Sequence, residues 1–174
     1  VTDREAYIIL NMISGIGSAR LRALLDEFET PANIFAQSAS RISAVKGISL
    51  KMAEKVADWQ REVDFASEME MAEKGGVRIT TLADDDYPEI LKGIYDPPLC
   101  LYIRGELPDC NANTVAVIGS RRVSNYGRKM ARHLSESAVM AGWKVISGLA
   151  YGVDAIAHHS TVQAGGVTVA VLGG

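Results

Sequence analysis

Apolar residues recur at helical spacing from the first turn of the chain. Ile8, Ile9, Met12 and Ile13 predict one short helix, and Ala19, Leu21, Leu24, Leu25 and Phe28 predict a second. Between them lies Ser14-Gly15-Ile16-Gly17-Ser18, a tight connection. Thr30-Pro31 starts a further helix, because threonine caps and proline suits the first turn. Ser38 and Ser40 are caps for the next one. A second turn, Lys46-Gly47-Ile48-Ser49, opens a longer helix through Met52, Val56, Trp59 and Val63, expected to run to Lys74 and stop at Gly75-Gly76. The period then changes. Val77 to Leu82 alternates and is β-branched, which predicts a strand; Asp84-Asp85-Asp86-Tyr87-Pro88 is a loop, and Leu99 to Arg104 a second strand. Gly105 to Asn113 is a polar connector.

From residue 114 strands and helices alternate. Val115–Ile118, Lys144–Ser147 and Val167–Leu172 are nearly all apolar. They are separated by predicted helices over Arg128–Ala141 and Asp154–Ala164. The first of these helices is expected to turn Met130, Leu134, Ala138 and Met140 inward. Apolar strands separated by helices predict a parallel sheet covered on both faces. The fold class is therefore α/β, in three parts: a helical domain over 1–64, a connecting region over 65–113, and a partial doubly wound sheet over 114–174. A doubly wound sheet ordinarily has two halves. The expectation is that this chain carries one of them, with the sheet completed by further residues or by another chain. No repeat of 20–50 residues is present beyond the pair of glycine turns in the helical part.

Charge changes this picture more than composition does. The chain has 174 residues and a formal net charge of −3, an ordinary globular balance. Residues 1–110 hold twelve basic and nineteen acidic side chains, whereas residues 111–174 hold six and two. An anionic ligand is thus expected on the second segment. Its apolar runs are far too short for a membrane helix. The start of the chain lacks the basic stretch of a secretory leader, and Cys100 and Cys110 are too few for a disulfide scaffold. A cytoplasmic location without membrane contact is expected.

Each parallel strand leads into a glycine turn: Gly119-Ser120-Arg121-Arg122, then Ser147-Gly148-Leu149-Ala150-Tyr151-Gly152, then Gly173-Gly174. Ligands of open parallel sheets bind outside the carboxyl ends of the strands. There, glycine lets N–H groups approach a phosphate and a helix N-terminus adds a favourable dipole. Arg121 and Arg122 add forked donors, and Ser120 and Ser147 add hydroxyls. Neither a G-x-G-x-x-G fingerprint nor a G-x-x-x-x-G-K-[ST] loop occurs. Taken singly, each loop is equally well read as a tight turn; their coincidence with local positive charge favours phosphate binding. Tyr126 and Tyr151 lie in the same loops and are candidates for stacking on bases, against a slightly preferred reading in which each ring packs with its hydroxyl at the surface. Arg128, Lys129 and Arg132 share one helix and are read mainly as a solvated face.

Ala116-Val117-Ile118-Gly119-Ser120-Arg121-Arg122 with Tyr126-Gly127 resembles the first loop of the bacterial DprA/Smf family of DNA-processing proteins. Ser147 to Asp154, ending in Ala157-His158, resembles the family's second motif, and Ala170-Val171-Leu172-Gly173 the start of its third. Upstream, Asp86-Tyr87-Pro88, Asp96-Pro97-Pro98 and Leu101-Tyr102-Ile103-Arg104-Gly105 match its lead-in. The resemblance covers residues 77–174 closely. It implies a SAM-like helical domain followed by a truncated, extended Rossmann-like sheet. It also implies single-stranded DNA binding without catalysis, protection of incoming DNA, and help in loading the RecA recombinase during natural transformation and recombination. DNA phosphate contacts would fall on Gly119, Ser120 and Arg121, with Arg122 as helper and Gly148 and Gly152 shaping the neighbouring wall. A homodimer is implied for the full-length protein, with dimer and recombinase contacts largely in parts absent from this chain.

Asp154 and His158 are four apart at a helix start and share a face. Chemically they would be a base pair or two metal ligands. The preferred reading is structural, with Asp154 capping the helix and His158 hydrogen-bonded nearby. No Cys/His spacing suits zinc, and no metal or cofactor is expected. The first glycine turn resembles a helix–hairpin–helix turn, whose N–H groups can meet a DNA phosphate. The surrounding acid excess favours protein interaction or packing there. The competing class is a nucleotide-processing enzyme of the phosphoribohydrolase, lysine-decarboxylase-like type. That class carries a P-G-G-x-G-T-x-x-E loop, which is not found here. A third reading, a protein-interaction module over 1–64, leaves the Gly-Ser-Arg-Arg turn without a role.

Overall fold

A computed structural model describes residues 1–109 and 113–173; Cys110, the end of the expected connector and Gly174 lie outside the described residues. The chain divides into two compact units, Val1–Glu106 and Leu107–Gly174.

The first unit opens with α1 (Asp3–Met12), started by a reciprocal capping box between Thr2 and Glu5. Next come α2 (Ser18–Phe28), α3 (Pro31–Phe35), α4 (Ala39–Ser43) and α5 (Leu50–Ala57). Thr30, Ser38 and Ser49 cap α3, α4 and α5 through their hydroxyls, while Ser40 lies inside α4. The turns before α2 and α5 are built alike: Gly15 and Gly47 adopt φ of 93° and 87°, a region that favours glycine. Arg20 joins the two turns, donating to the Gly15 carbonyl at 2.5 Å and the Gly47 carbonyl at 3.2 Å.

The helix expected through to Lys74 is broken into α5, α6 (Trp59–Glu62) and α7 (Phe65–Lys74). Two local bonding choices explain the breaks. Asp58 leaves helical geometry, and Val63 is extended so that Asp64 can cap α7 by accepting from Ser67 N–H. The first break lets Trp59 meet Phe35 edge to face, with ring centroids 6.1 Å apart.

Strand β1 (Val77–Thr81) pairs antiparallel with β2 (Cys100–Arg104), Val77 opposite Arg104 and Thr81 opposite Cys100. The short helix α8 (Glu89–Lys92) intervenes. This hairpin belongs to the helical core. Ile79, Leu99 and Cys100 are buried in one cluster with Ile8, Leu24 and Val56. Arg4 fastens it from α1, donating to the Ile79 carbonyl at 2.7 Å and to Asp84 Oδ2 at 3.2 Å.

The second unit is a three-stranded parallel sheet of β3 (Thr114–Ala116), β4 (Lys144–Ser147) and β5 (Thr168–Ala170), with β4 in the middle. Helices α9 (Asn125–Met140) and α10 (Val153–Gln163) connect the strands. Both helices pack on the sheet and on each other, so they share one face. Among the described residues of this unit the expected two-sided cover is therefore not observed, and Ile118 and Val171 are exposed. The inward residues of α9 also differ from expectation. Leu134 and Met140 are exposed, and Ala131 and Ser135 are buried instead. Small side chains line the helix contact: Ala157, Ser160 and Thr161 are buried on α10, and Gly166 lies so close to Val139 that it has no room for a Cβ. Close approach of the helices turns the larger side chains outward.

Candidate nucleic-acid interface

The carboxyl ends of β3 and β4 carry the two glycine loops, 119–122 and 148–152. Their mutual contact is backbone on backbone. Gly152, at φ 93°, lies under the first loop, and a Cβ there would sit 2.3 Å from the Ser120 carbonyl oxygen and 2.7 Å from Arg121 Cα. Gly119 is constrained in a similar way, since a Cβ on it would sit 2.8 Å from Val153 Cγ2. Val153 N–H donates to the Ser120 carbonyl at 3.2 Å, tying the start of α10 to the first loop. Leu149 adopts φ 55°, a left-handed conformation that a branched side chain rarely takes.

Asp154 holds both loops from beneath. Its Oδ1 accepts from Gly119 N–H at 3.4 Å, and its Oδ2 from Gly148 N–H at 3.2 Å and Ala150 N–H at 3.4 Å. The carboxylate is buried. This corrects the expected capping role, since α10 has Gly152 at its cap and no side-chain cap bond. Nor does Asp154 pair with His158. His158 Nδ1 lies 2.7 Å from Thr168 Oγ1, whose hydrogen goes to the Val145 carbonyl, so the imidazole donates through Nδ1. Among the described residues its Nε2 has no hydrogen-bond partner, and no group of three metal-ligating side chains comes together.

The side chains expected to face phosphate divide. Arg121 and Arg122 are exposed, and among the described residues neither is ion-paired. Ser120 Oγ is committed to the loop itself, accepting from Arg122 N–H at 3.1 Å and donating to the Arg122 carbonyl at 2.9 Å. Ser147 does not reach the surface: its hydroxyl donates to the Val117 carbonyl at 2.7 Å and is buried between strands. Gly152 abuts Ser120 and Arg121 of the first loop, and Gly148 abuts the Asp154 carboxylate. Lys144 lies at the other end of β4, donating to the Asp109 carbonyl. Tyr126 and Tyr151 are 73% and 87% exposed, so neither ring is spent on packing. Arg128 and Lys129 are exposed on the first turns of α9.

The loop edge thus presents two guanidinium groups, two free rings and the N–H groups of Ser120 and Arg121, which have no acceptor among the described residues. Its one acid faces inward. Such an edge suits an anionic polymer with stackable bases. Of the two acids an enzymatic alternative would draw on, Asp154 is already bonded to three amides, and Asp86, in the first unit, is bonded to Thr80 and paired with Arg78.

The first hairpin turn is arranged differently. Ser18 is buried and its hydroxyl bonds the Asp96 carboxylate. Arg22 donates to the Tyr95 carbonyl at 2.9 Å, with its guanidinium 5.5 Å from the Tyr95 ring. An acid beside the start of α2 opposes a phosphate there.

Comparison with known proteins gives a consistent set of likenesses. The model of the family described as DNA recombination-mediator protein A matches residues 78–174, and that of a SAM-like helix-hairpin-helix tandem matches residues 7–58. Protein Smf of Synechocystis is 29% identical over 99% of this chain and 44% of its own length. Protein Smf of Escherichia coli is 32% identical over 73% of this chain and 34% of its own. The X-ray structure of DNA processing protein A from Streptococcus pneumoniae superposes with a TM-score of 0.74 at 27% identity, covering 99% of this chain and 58% of that one. The chain therefore spans less than half the length of these two curated relatives.

Proposed function

The chain belongs to the DNA recombination-mediator protein A family, and from that premise we propose that its second unit binds single-stranded DNA without catalysing a reaction on it. The observation that carries this reading is the loop edge. Arg121 and Arg122 are exposed and not ion-paired among the described residues, and the rings of Tyr126, at the start of α9, and Tyr151, in the second loop, are exposed as well. Guanidinium groups supply phosphate contacts that do not depend on sequence, and exposed rings supply stacking that every base can use. Duplex DNA hides its base faces, so the rings favour a single strand.

The wider role is part of the same proposal. A protein of this family that holds incoming single strands would protect them and hand them to the RecA recombinase in natural transformation and recombination. It would do so in the cytoplasm and as a homodimer in its full-length form. The resemblance of the glycine–serine–arginine turn supports this role, as does the name of the solved structure that the chain superposes on, DNA processing protein A.

Fluorescence anisotropy of a labelled poly-dT oligonucleotide tests the binding step, at low and moderate salt, with duplex DNA and free nucleotides as competitors. Salt-sensitive binding that the competitors displace poorly is expected. Equal affinity for duplex and single strand, or loss of binding to competing mononucleotide, would overturn it.

A further inference from the structure

The backbone N–H groups of the two loops form an inner and an outer set. Gly119, Gly148 and Ala150 donate inward to the Asp154 carboxylate. Ser120 and Arg121 are exposed residues whose N–H groups have no acceptor among the described residues. Several amides converging on one anionic group at the start of a helix is the arrangement that a bound phosphate fills in nucleotide-binding turns. Here the chain supplies the anion itself.

Two features hold Asp154 in this place. Asp154 is buried at the first turn of α10, so its backbone is held by the helix. It also presses directly on the second loop: a Cβ at Gly148 would meet Asp154 Oδ2 at 2.9 Å. The inner amides are already engaged by this carboxylate, which repels a second anion electrostatically.

We propose that Asp154 is a positioning residue that fills the amide cradle from within, so that the site takes a phosphodiester across its rim and refuses a terminal phosphate or pyrophosphate. The first half rests on the single-stranded DNA reading; the second does not. The rim offers the outer amides and the Arg121 and Arg122 side chains, groups that can meet a backbone phosphate passing over the surface. A pyrophosphate seated as in a dinucleotide fold would need the inner amides.

The test uses the whole chain, with inorganic pyrophosphate and a dT oligonucleotide as probes, and Asp154→Ala and Asp154→Asn as variants. Binding is read by amide NMR shifts and by anisotropy. In the unaltered protein, pyrophosphate should produce no saturable shift at Gly119, Gly148 or Ala150, and should displace dT only as its ionic strength demands. Asp154→Ala should gain saturable pyrophosphate binding at those three amides, an effect that mere loss of structure would not produce. Its dT affinity should fall about tenfold as the loops lose a charge-assisted tie. Asp154→Asn, of the same shape with one acceptor oxygen, should keep more of the dT affinity, and it serves if the alanine variant fails to fold. Saturable pyrophosphate binding to the inner amides of the unaltered protein would overturn the proposal. So would variants that hold dT unchanged and gain no pyrophosphate binding. Failure of the unaltered protein to bind dT at any salt would sink the DNA reading alone, with the pyrophosphate arm still judging Asp154.

Discussion

Gly152 lies directly beneath Ser120, so close that a methyl group on its Cα would stand 2.3 Å from the Ser120 carbonyl oxygen. The neighbouring atom is backbone and cannot swing aside, and φ of 93° adds strain for any other residue. Gly152→Ala should therefore part the two loops and weaken poly-dT binding about tenfold or more, with about 1–3 kcal/mol lost from the stability of the second unit. Gly166→Ala, which drives a methyl into Val139 away from the loop edge, should cost stability without a matching loss of affinity. Thermal melting and anisotropy on the pair separate the two effects.

Arg121→Ala and Arg122→Ala should weaken binding alike on every DNA sequence. For every phosphate no longer held, the slope of log affinity against log salt should fall by about 0.7 for a single strand. The measurement is anisotropy over a salt series. Since neither side chain is ion-paired among the described residues, the melting temperature should stay within error. An unchanged slope in both variants would place the phosphate contacts elsewhere.

Tyr126→Ala and Tyr151→Ala address stacking separately from charge. Base–aromatic stacking contributes about 1–3 kcal/mol per base, so affinity should fall about fivefold to a hundredfold while the salt slope is kept. An abasic oligonucleotide should be bound equally by the unaltered protein and both variants. Discrimination by the abasic strand would count against stacking.

In the first unit, Asp84 accepts from Arg4 at 3.2 Å, from Thr81 N–H at 2.8 Å and from Thr81 Oγ1 at 3.0 Å. Asp84→Ala leaves these donors short of an acceptor, and should destabilise the unit by about 1–3 kcal/mol. Urea unfolding followed by Trp59 fluorescence, in a Trp143→Phe background, reads this unit alone. The DNA affinity of the second unit should not change.

Alkali should attack the first unit early. Burial pushes the Cys100 thiol from 9.0 up to about 12 and the Tyr87 phenol from 10.0 up to about 12. The fold therefore favours the protonated forms. The stability they contribute is complete below pH 9 and is lost as pH rises toward about 12. Urea midpoints should fall from pH 9 upward, and Cys100→Ala should delay the onset toward pH 10, where tyrosine takes over. At a pH of about 8 the native thiol of Cys100 should resist iodoacetamide until the unit unfolds.

How legible each part was follows from where its determinants lie. Caps and turns are local, so Thr30-Pro31, Ser49 and the Gly15 and Gly47 turns could be read directly from residue type. The α5–α6 break could not, because Trp59 and Val63 continue a helical period while Asp58 and Asp64 choose other bonds. On α9, Leu134 looked like a core residue, but the close approach of α10 reserves the interior for Ala131 and Ser135. At the site, Arg121, Arg122 and Tyr151 were visible as residue types in glycine loops, whereas Tyr126, expected in a loop, stands in the first turn of α9. The bonds of Ser147 and Asp154 were not, because their partners are backbone groups, which leave no trace in a residue pattern.

Arg20 reaches the carbonyls of both Gly15 and Gly47 with one guanidinium group. The two hairpin turns are therefore not free to drift apart in length. An insertion in one would carry its carbonyl out of reach and strand half of the fork. Loop lengthening tolerated at other surface turns should be tolerated here only when both turns change together, so a library of single-turn insertions should be depleted at these two places and nowhere else in the helical part to the same degree.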